Sequence, residues 1–328
     1  MRQARTTTTR LPLRHAVALG LLQGPTELLP VSSSGHTTLI PWLAGWPYAE
    51  LEPELRKSFE VALHAGAGAA LAIDMRGELI DATRTLDRRR VAVIALSLAP
   101  PVLAGYALER PIERRLGGPR SIAAGLIAGA AAIALADIHP GRCMDSMPRE
   151  SAAGSAAPDG LAQTDTTLAA PVRGARRQED AGPHDGLALG LAQAMALIPG
   201  VSRNGATLTA ARARGFARED AVALSWHAAL PVILGASALK AWRLRRRGAQ
   251  TRPVDSAGSA RRTLAVGGAS AFVSTLASAR LLRRPWVSAR SLLPYTVYRC
   301  LLAVLVFRRL RDCAADARQW VSGGAEPA

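Results

Sequence analysis

Cysteine is nearly absent. Cys143, Cys300 and Cys313 are the three in 328 residues, too few and too scattered for a disulfide framework or a zinc site. Lysine is scarce too, so arginine supplies nearly all of the 41 basic residues, which face 25 acidic ones and leave a formal charge of +16. Charge itself is missing from five stretches, 91–108, 121–136, 186–202, 221–239 and 263–279. Each is about as long as a helix needs to cross a hydrocarbon layer of roughly 30 Å. No cleavable signal peptide is expected either, because the apolar part of the N-terminus runs into residues 23–36 with no convincing cleavage site.

What lies between the uncharged stretches is basic: RRRV at 88–91, ERRLGGPR at 113–120 and WRLRRRGAQTR at 242–252. A soluble amphipathic helix would carry a charge every third or fourth residue. Here charge is segregated by depth, which argues against a soluble helical protein. Arginines flanking apolar spans meet anionic lipid headgroups, so the basic balance does not call for nucleic acid. The chain reads as an all-α polytopic membrane protein. Residues 139–184 are polar, aperiodic and rich in Gly, Pro and Ala, the composition of a disordered linker. They separate a first membrane unit, 1–138, from a second, 185–311, and 312–328 form a polar tail.

The two units repeat. LGLLQGPTELLPVSSSGHT from Leu19 and LGLAQAMALIPGVSRNGAT from Leu189 share eight identities in nineteen positions at a constant offset of 170. Each copy is an apolar helix, a break containing Pro, Gly and Ser, and a second apolar piece. A break leaves backbone groups unpaired, which hydrocarbon tolerates only where the break is buried in protein or lines a wet cavity. Two breaks at matching positions therefore point to a site where they meet. The first offers Glu27, Ser32, Ser33 and His36, the second Ser202, Arg203, Asn204 and Thr207. Gly35 and Gly205 leave the backbone bare, so helix N-terminal amides can approach a ligand. Guanidinium, hydroxyls and amides together suit a phosphate.

These segments resemble the undecaprenyl-diphosphate phosphatase family, integral-membrane enzymes associated with bacitracin resistance. The first family motif matches Gln23 to His36 and the second Pro199 to Thr207. FEVALHAG at 59–66, LPVILGASALK at 230–240 and SLLPYTVYR at 291–299 match as well. The resemblance implies about six transmembrane helices plus two re-entrant helix–loop–helix segments in inverted repeats, in a multi-pass protein of the bacterial plasma membrane. It implies hydrolysis of a polyprenyl diphosphate, most simply undecaprenyl diphosphate, to the monophosphate carrier of cell-wall synthesis. The partners expected are this lipid and the membrane, with room for a homodimer. A polyprenyl-phosphate transporter and a catalytically silent paralogue are the alternatives.

The expected roles follow. Glu27 is the leading ligand for a divalent cation, Mg²⁺ or Ca²⁺, since hard cations take oxygen donors. Gln23, where the family usually has a glutamate, can offer a neutral oxygen to the same ion. Arg203 clamps the diphosphate. Ser33 and His36 form a nucleophile and base, or His36 activates water. Ser32, Ser202, Asn204, Gly205 and Thr207 are expected to bind phosphate, with a structural role equally open to the paired serines. Glu60, His64, His227 and Arg299 are polar groups in apolar spans, expected mainly to hold the loops.

Overall fold

The spacing of the sequence repeat recurs in three dimensions. The computed structural model describes residues 11–138, 175–248, 254–282 and 291–323. These residues form eleven α-helices. The first half holds α1 (Leu13–Leu28), α2 (Ser33–Leu43), α3 (Pro53–Asp74), α4 (Arg76–Arg84), α5 (Arg88–Leu116) and α6 (Pro119–Ile138). The second holds α7 (Pro183–Met195), α8 (Arg203–Ala213), α9 (Arg218–Gly248), α10 (Val254–Leu282) and α11 (Leu293–Gly323). Adding 170 to the bounds of α2 gives those of α8, and adding it to the start of α1 gives the start of α7. The uncharged run 186–202 is thus not one helix. It stops at Met195 and turns through Gly200, whose φ of +95° suits a residue without a side chain.

Four helices are long and apolar enough to cross a membrane among the described residues: 88–116, 119–137, 218–239 and 258–282. The sequence reading expects about six spans. Helices α3 and α11 are long enough, but they carry charge within their apolar faces, notably Glu60 and the fully buried Arg299. Helix α5 presents Leu103 and Tyr106, 69% and 84% exposed, which in water would be an unfavourable apolar face and in lipid is the expected one.

Small residues set the close approaches. Helix α1 lies along α10, and α7 along α5. A Cβ at Gly20 or Gly24 would overlap α10 at Ser270 or Ser274, and one at Gly186 or Gly190 would overlap the α5 backbone at Val93 or Leu96. This is the small-xxx-small packing by which helices associate where no hydrophobic force distinguishes lipid from protein. Helix α6 uses Gly125 and Gly129 differently: Pro199 and Gly200 press on the first, and the Arg299 guanidinium lies on the second.

The expected linker 139–184 divides into two parts. Residues 139–174 lie outside the described residues, whereas 175–184 are docked and include a short 3-10 turn, Gln178–Asp180. The Arg176 N–H donates to Gly215 O at 2.9 Å, and its guanidinium lies 4.2 Å from the Phe216 ring and donates to both Asp185 oxygens, at 2.9 and 2.6 Å. Asp185, at the polar end of α7 and outside the four candidate spans, also accepts from Arg214 Nε at 2.7 Å and Gly182 N at 2.8 Å. Burial alone would raise this carboxyl, but these donors outweigh it and hold it well below the ordinary carboxylate range. Within the expected polar tail, α11 continues to Gly323.

Gly129→Ala should force Arg299 out of its seat and lower stability by about 1–3 kcal/mol, as overpacking does. Gly105 is the control, since a Cβ there would have nothing within 4 Å. Gly105→Ala should be neutral or stabilise by up to about 1 kcal/mol. Thermal unfolding of the two purified variants in one detergent reads the contrast.

Candidate active site

The two breaks meet at Glu27. Helix α1 places Gln23 and Glu27 one turn apart on the same face, α2 contributes Ser33 at its first residue, and α8 contributes Arg203 at its first residue. Arg203 Nη2 donates to Glu27 Oε1, forming an ion pair between the two halves of the chain. On the other oxygen, Oε2, Glu27 accepts from Ser33 Oγ at 2.6 Å and Gln23 Nε2 at 3.1 Å. His64 of α3 closes the group, with Nδ1 3.2 Å from Gln23 Nε2 and 3.7 Å from Glu27 Oε2. Trp226, Met75 and Ile233 wall the adjoining cavity, so the charges sit in apolar surroundings where each pairing is strong.

His36 is not part of that cluster. Its Nδ1 is 2.7 Å from Ser32 O and its Nε2 2.6 Å from the Tyr298 hydroxyl, with the rings stacked. A carbonyl only accepts, so Nδ1 carries a proton. The expected Ser33–His36 pair is therefore replaced by Ser33–Glu27. The Ser33 hydroxyl points at a carboxylate that can take its proton.

Several expected phosphate ligands are occupied in holding the loops. Ser32 and Ser202 cap α2 and α8, each Oγ accepting from the N–H of Gly35 (3.3 Å) or Gly205 (3.2 Å). Ser32 does so at φ +79°, the one positive φ outside glycine among the described residues. Asn204 Nδ2 donates to Leu28 O across the repeat interface, and Asn204 Oδ1 accepts from Ser225 Oγ at 2.6 Å. Thr207 Oγ1 donates to Arg203 O at 2.9 Å and lies 2.5 Å from Ser225 Oγ. Gly205 lies 3.0–3.4 Å, measured from a Cβ position, from Ile133, Ser202 and Arg299, leaving no room for a side chain.

Arg299 ties both loops to α6. Its guanidinium donates to Pro30 O (2.9 Å), Gly200 O (2.9 Å), Leu126 O (3.1 Å) and, at greater length, Gly125 O. Glu60 lies beside Tyr48, and His227 faces Gln178 at 2.9 Å. Sequence reading missed Tyr298 and Ser225. Tyr298 stands next to Arg299 inside the matched SLLPYTVYR segment, which was the available signal. Ser225 had none.

The donors present fit a divalent cation in part. Gln23 Oε1 is buried without a hydrogen-bond partner on the side of the amide away from Glu27, and a half-turn of that amide would offer the oxygen to a cation. Among the described residues no three His, Cys, Asp or Glu side chains converge, so substrate oxygens and water would complete the shell of an ion held by Glu27 and Gln23.

Fold and site together define a polytopic helical membrane protein with a buried carboxylate–serine–guanidinium centre between two broken helices. The chain belongs to the family described as bacitracin resistance protein BacA, whose model matches residues 16–305. It is 36% identical over 313 residues to an undecaprenyl-diphosphatase of Geobacter sulfurreducens, covering 90% of this chain and 98% of that protein. Similar matches join it to the undecaprenyl-diphosphatases of Geobacter metallireducens (34%, 89% and 97% covered) and Mycobacterium avium (32%, 89% and 95% covered).

Arg203→Lys tests whether the planar fork matters or only the charge. It should be nearly as damaging as Arg203→Ala, each lowering kcat/KM about 10²–10³-fold. Steady-state kinetics of the two variants side by side measures this, and near-normal turnover in the lysine variant would leave Arg203 only a long-range charge role.

Proposed function

We propose that this chain removes the terminal phosphate of undecaprenyl diphosphate at the Glu27–Ser33–Arg203 cluster. Family membership over 16–305 and relatives of that activity matching about nine-tenths of the chain make it an undecaprenyl-diphosphatase. The observation that carries the mechanism is a single carboxylate, from one half of the chain, that accepts from a serine hydroxyl and pairs with a guanidinium of the other half.

Substrate binding exchanges partners. Arg203 turns from Glu27 to the terminal phosphate, whose two oxygens match the guanidinium fork. First-turn N–H groups of α2 and α8, which lack intrahelical acceptors, assist. Glu27 is then free to act as base. The Ser33 proton passes to Glu27 while the Oγ–P bond forms, the bridging P–O bond breaks and undecaprenyl monophosphate leaves. Water next attacks the phosphoserine, inorganic phosphate departs and Ser33 regains a proton through Glu27. A cation held by Glu27 and Gln23, Mg²⁺ or Ca²⁺, would neutralise diphosphate oxygens. His36, occupied by Ser32 and Tyr298, positions the first break.

For topology the proposal is six spans and two re-entrant pairs, α1–α2 and α7–α8, in inverted repeats within the bacterial plasma membrane. The exchanged packing supports it: the broken helix of each half lies on a long helix of the other, α1 on α10 and α7 on α5.

Purified protein should release phosphate from undecaprenyl or farnesyl diphosphate, and chelation should suppress the release. Ser33→Ala and Glu27→Gln should each slow it by about 10²-fold or more. Release untouched by Ser33→Ala would reassign the attack to water, and no release from the native protein under any metal condition would restore the transporter reading.

Gln23→Glu provides a sharper test of the cation. Without an ion, a second carboxylate next to Glu27 loses the Gln23 donor and repels its neighbour. With an ion it adds an anionic ligand. Tighter apparent metal binding and faster release are expected, chiefly at saturating metal and neutral or higher pH. An unchanged metal dependence over that range would make Gln23 a packing residue.

A further inference from the structure

Helix α3 faces the Gln23–Glu27 pair with one imidazole, and the spacing of the three side chains is regular. Gln23 Nε2 is 3.1 Å from Glu27 Oε2 and 3.2 Å from His64 Nδ1, and the remaining edge, Nδ1 to Oε2, is 3.7 Å. Donors about 2.1 Å from one ion and on neighbouring octahedral positions lie about 3 Å apart, and further when the angle opens. The amide nitrogen and oxygen of glutamine exchange places by a half-turn. That turn brings Oε1 to the corner shared with Glu27 and His64. The turn exchanges the Nε2–Glu27 hydrogen bond for ligation of the ion and carries the NH2 group to the buried side where Oε1 has no partner, so it is favourable only when an ion is bound.

We propose that His64 is the third protein ligand of the divalent cation, completing a Gln23–Glu27–His64 face. The inference rests on the reading that a cation takes part in diphosphate cleavage. An all-oxygen set suits Ca²⁺ and Mg²⁺, whereas an imidazole nitrogen favours first-row transition ions. One imidazole beside the oxygen donors adds affinity for Mn²⁺ or Co²⁺ to a site that the proposed function assigns to Mg²⁺ or Ca²⁺. The half-exposed side of the cluster, where His64 is 33% exposed, leaves the opposite face of the ion to diphosphate oxygens. His227 and His36, already engaged with Gln178 and Tyr298, do not compete for it.

Pulsed EPR of the full-length protein in detergent, with Mn²⁺ and inorganic pyrophosphate as the probes, reads the ligand directly. The native protein should show phosphorus coupling from pyrophosphate and ¹⁴N coupling from a bound imidazole, the latter changing to the ¹⁵N pattern when histidine is ¹⁵N-labelled. His64→Gln should abolish the nitrogen coupling and weaken Mn²⁺ binding about tenfold or more, with Ca²⁺ binding little changed. The labelled native protein gives its answer whether or not the variant folds. Bound Mn²⁺ with phosphorus coupling but no nitrogen coupling overturns His64 as a ligand and leaves the cation standing. Nitrogen coupling that persists in His64→Gln overturns it too. No bound Mn²⁺ with or without pyrophosphate removes the cation itself, and this inference with it.

Discussion

The Arg299 guanidinium is the point on which both breaks depend. A helix broken inside an apolar layer exposes carbonyls that lipid cannot satisfy. Pro30 and Gly200, one from each break, solve this with the same side chain. The guanidinium fits because Gly129 has no Cβ and because Gly125 lets the Pro199–Gly200 turn press against α6. Two glycines, one arginine and two loop tips thus form one unit. The distance between Ser33 and Arg203 is fixed by it, since each opens the helix that follows its own loop.

That geometry makes the Glu27–Arg203 pair affordable. Burying a charge is costly unless it is paired and hydrogen-bonded, and Glu27 meets both conditions through Arg203, Ser33 and Gln23. The resting pair is the more useful because each partner has a second use. In the proposed mechanism a diphosphate draws the guanidinium away, and the carboxylate so released is 2.6 Å from the Ser33 hydroxyl. The cavity beside Glu27, Arg203 and Trp226 is small, so the proposed mechanism has the substrate part the two side chains before chemistry starts.

Much of this was legible in the sequence because it is local or repeated. Charge depletion located four of the long helices, though it missed α3 and α11 and misread 186–202, the offset of 170 located both breaks, and Ser, Gly and Pro within them marked where helices stop and start. Residue partners were not legible. His36 lies three residues from Ser33, which suggests a pair, yet its ring turns to Tyr298, 262 positions away. Asn204 and Thr207 look like ligands for phosphate and are tied instead to Leu28 and Ser225. Periodicity encodes which face a side chain occupies. It does not encode which distant helix comes to meet it.

The repeat separates scaffold from chemistry on physical grounds. Positions identical in both copies do the same work twice: Ser32 and Ser202 cap Gly35 and Gly205, and Thr37 and Thr207 donate back to the carbonyls of Ser34 and Asn204. Positions that differ include those proposed to carry the reaction. Glu27 corresponds to Leu197 and Ser33 to Arg203. One copy therefore supplies the acidic and hydroxyl groups and the other the cationic one. A symmetric centre would set like charges against each other, two carboxylates or two guanidiniums in a low-dielectric site. Divergence at these few positions turns that repulsion into attraction while the caps and glycines recur in both copies. Gln23 and Gln193 show the boundary. They are identical, but Gln193 donates to Ser97 O on a neighbouring helix, whereas Gln23 faces Glu27 and His64, so the same amide ties helices together in one copy and lies in the Glu27 cluster in the other.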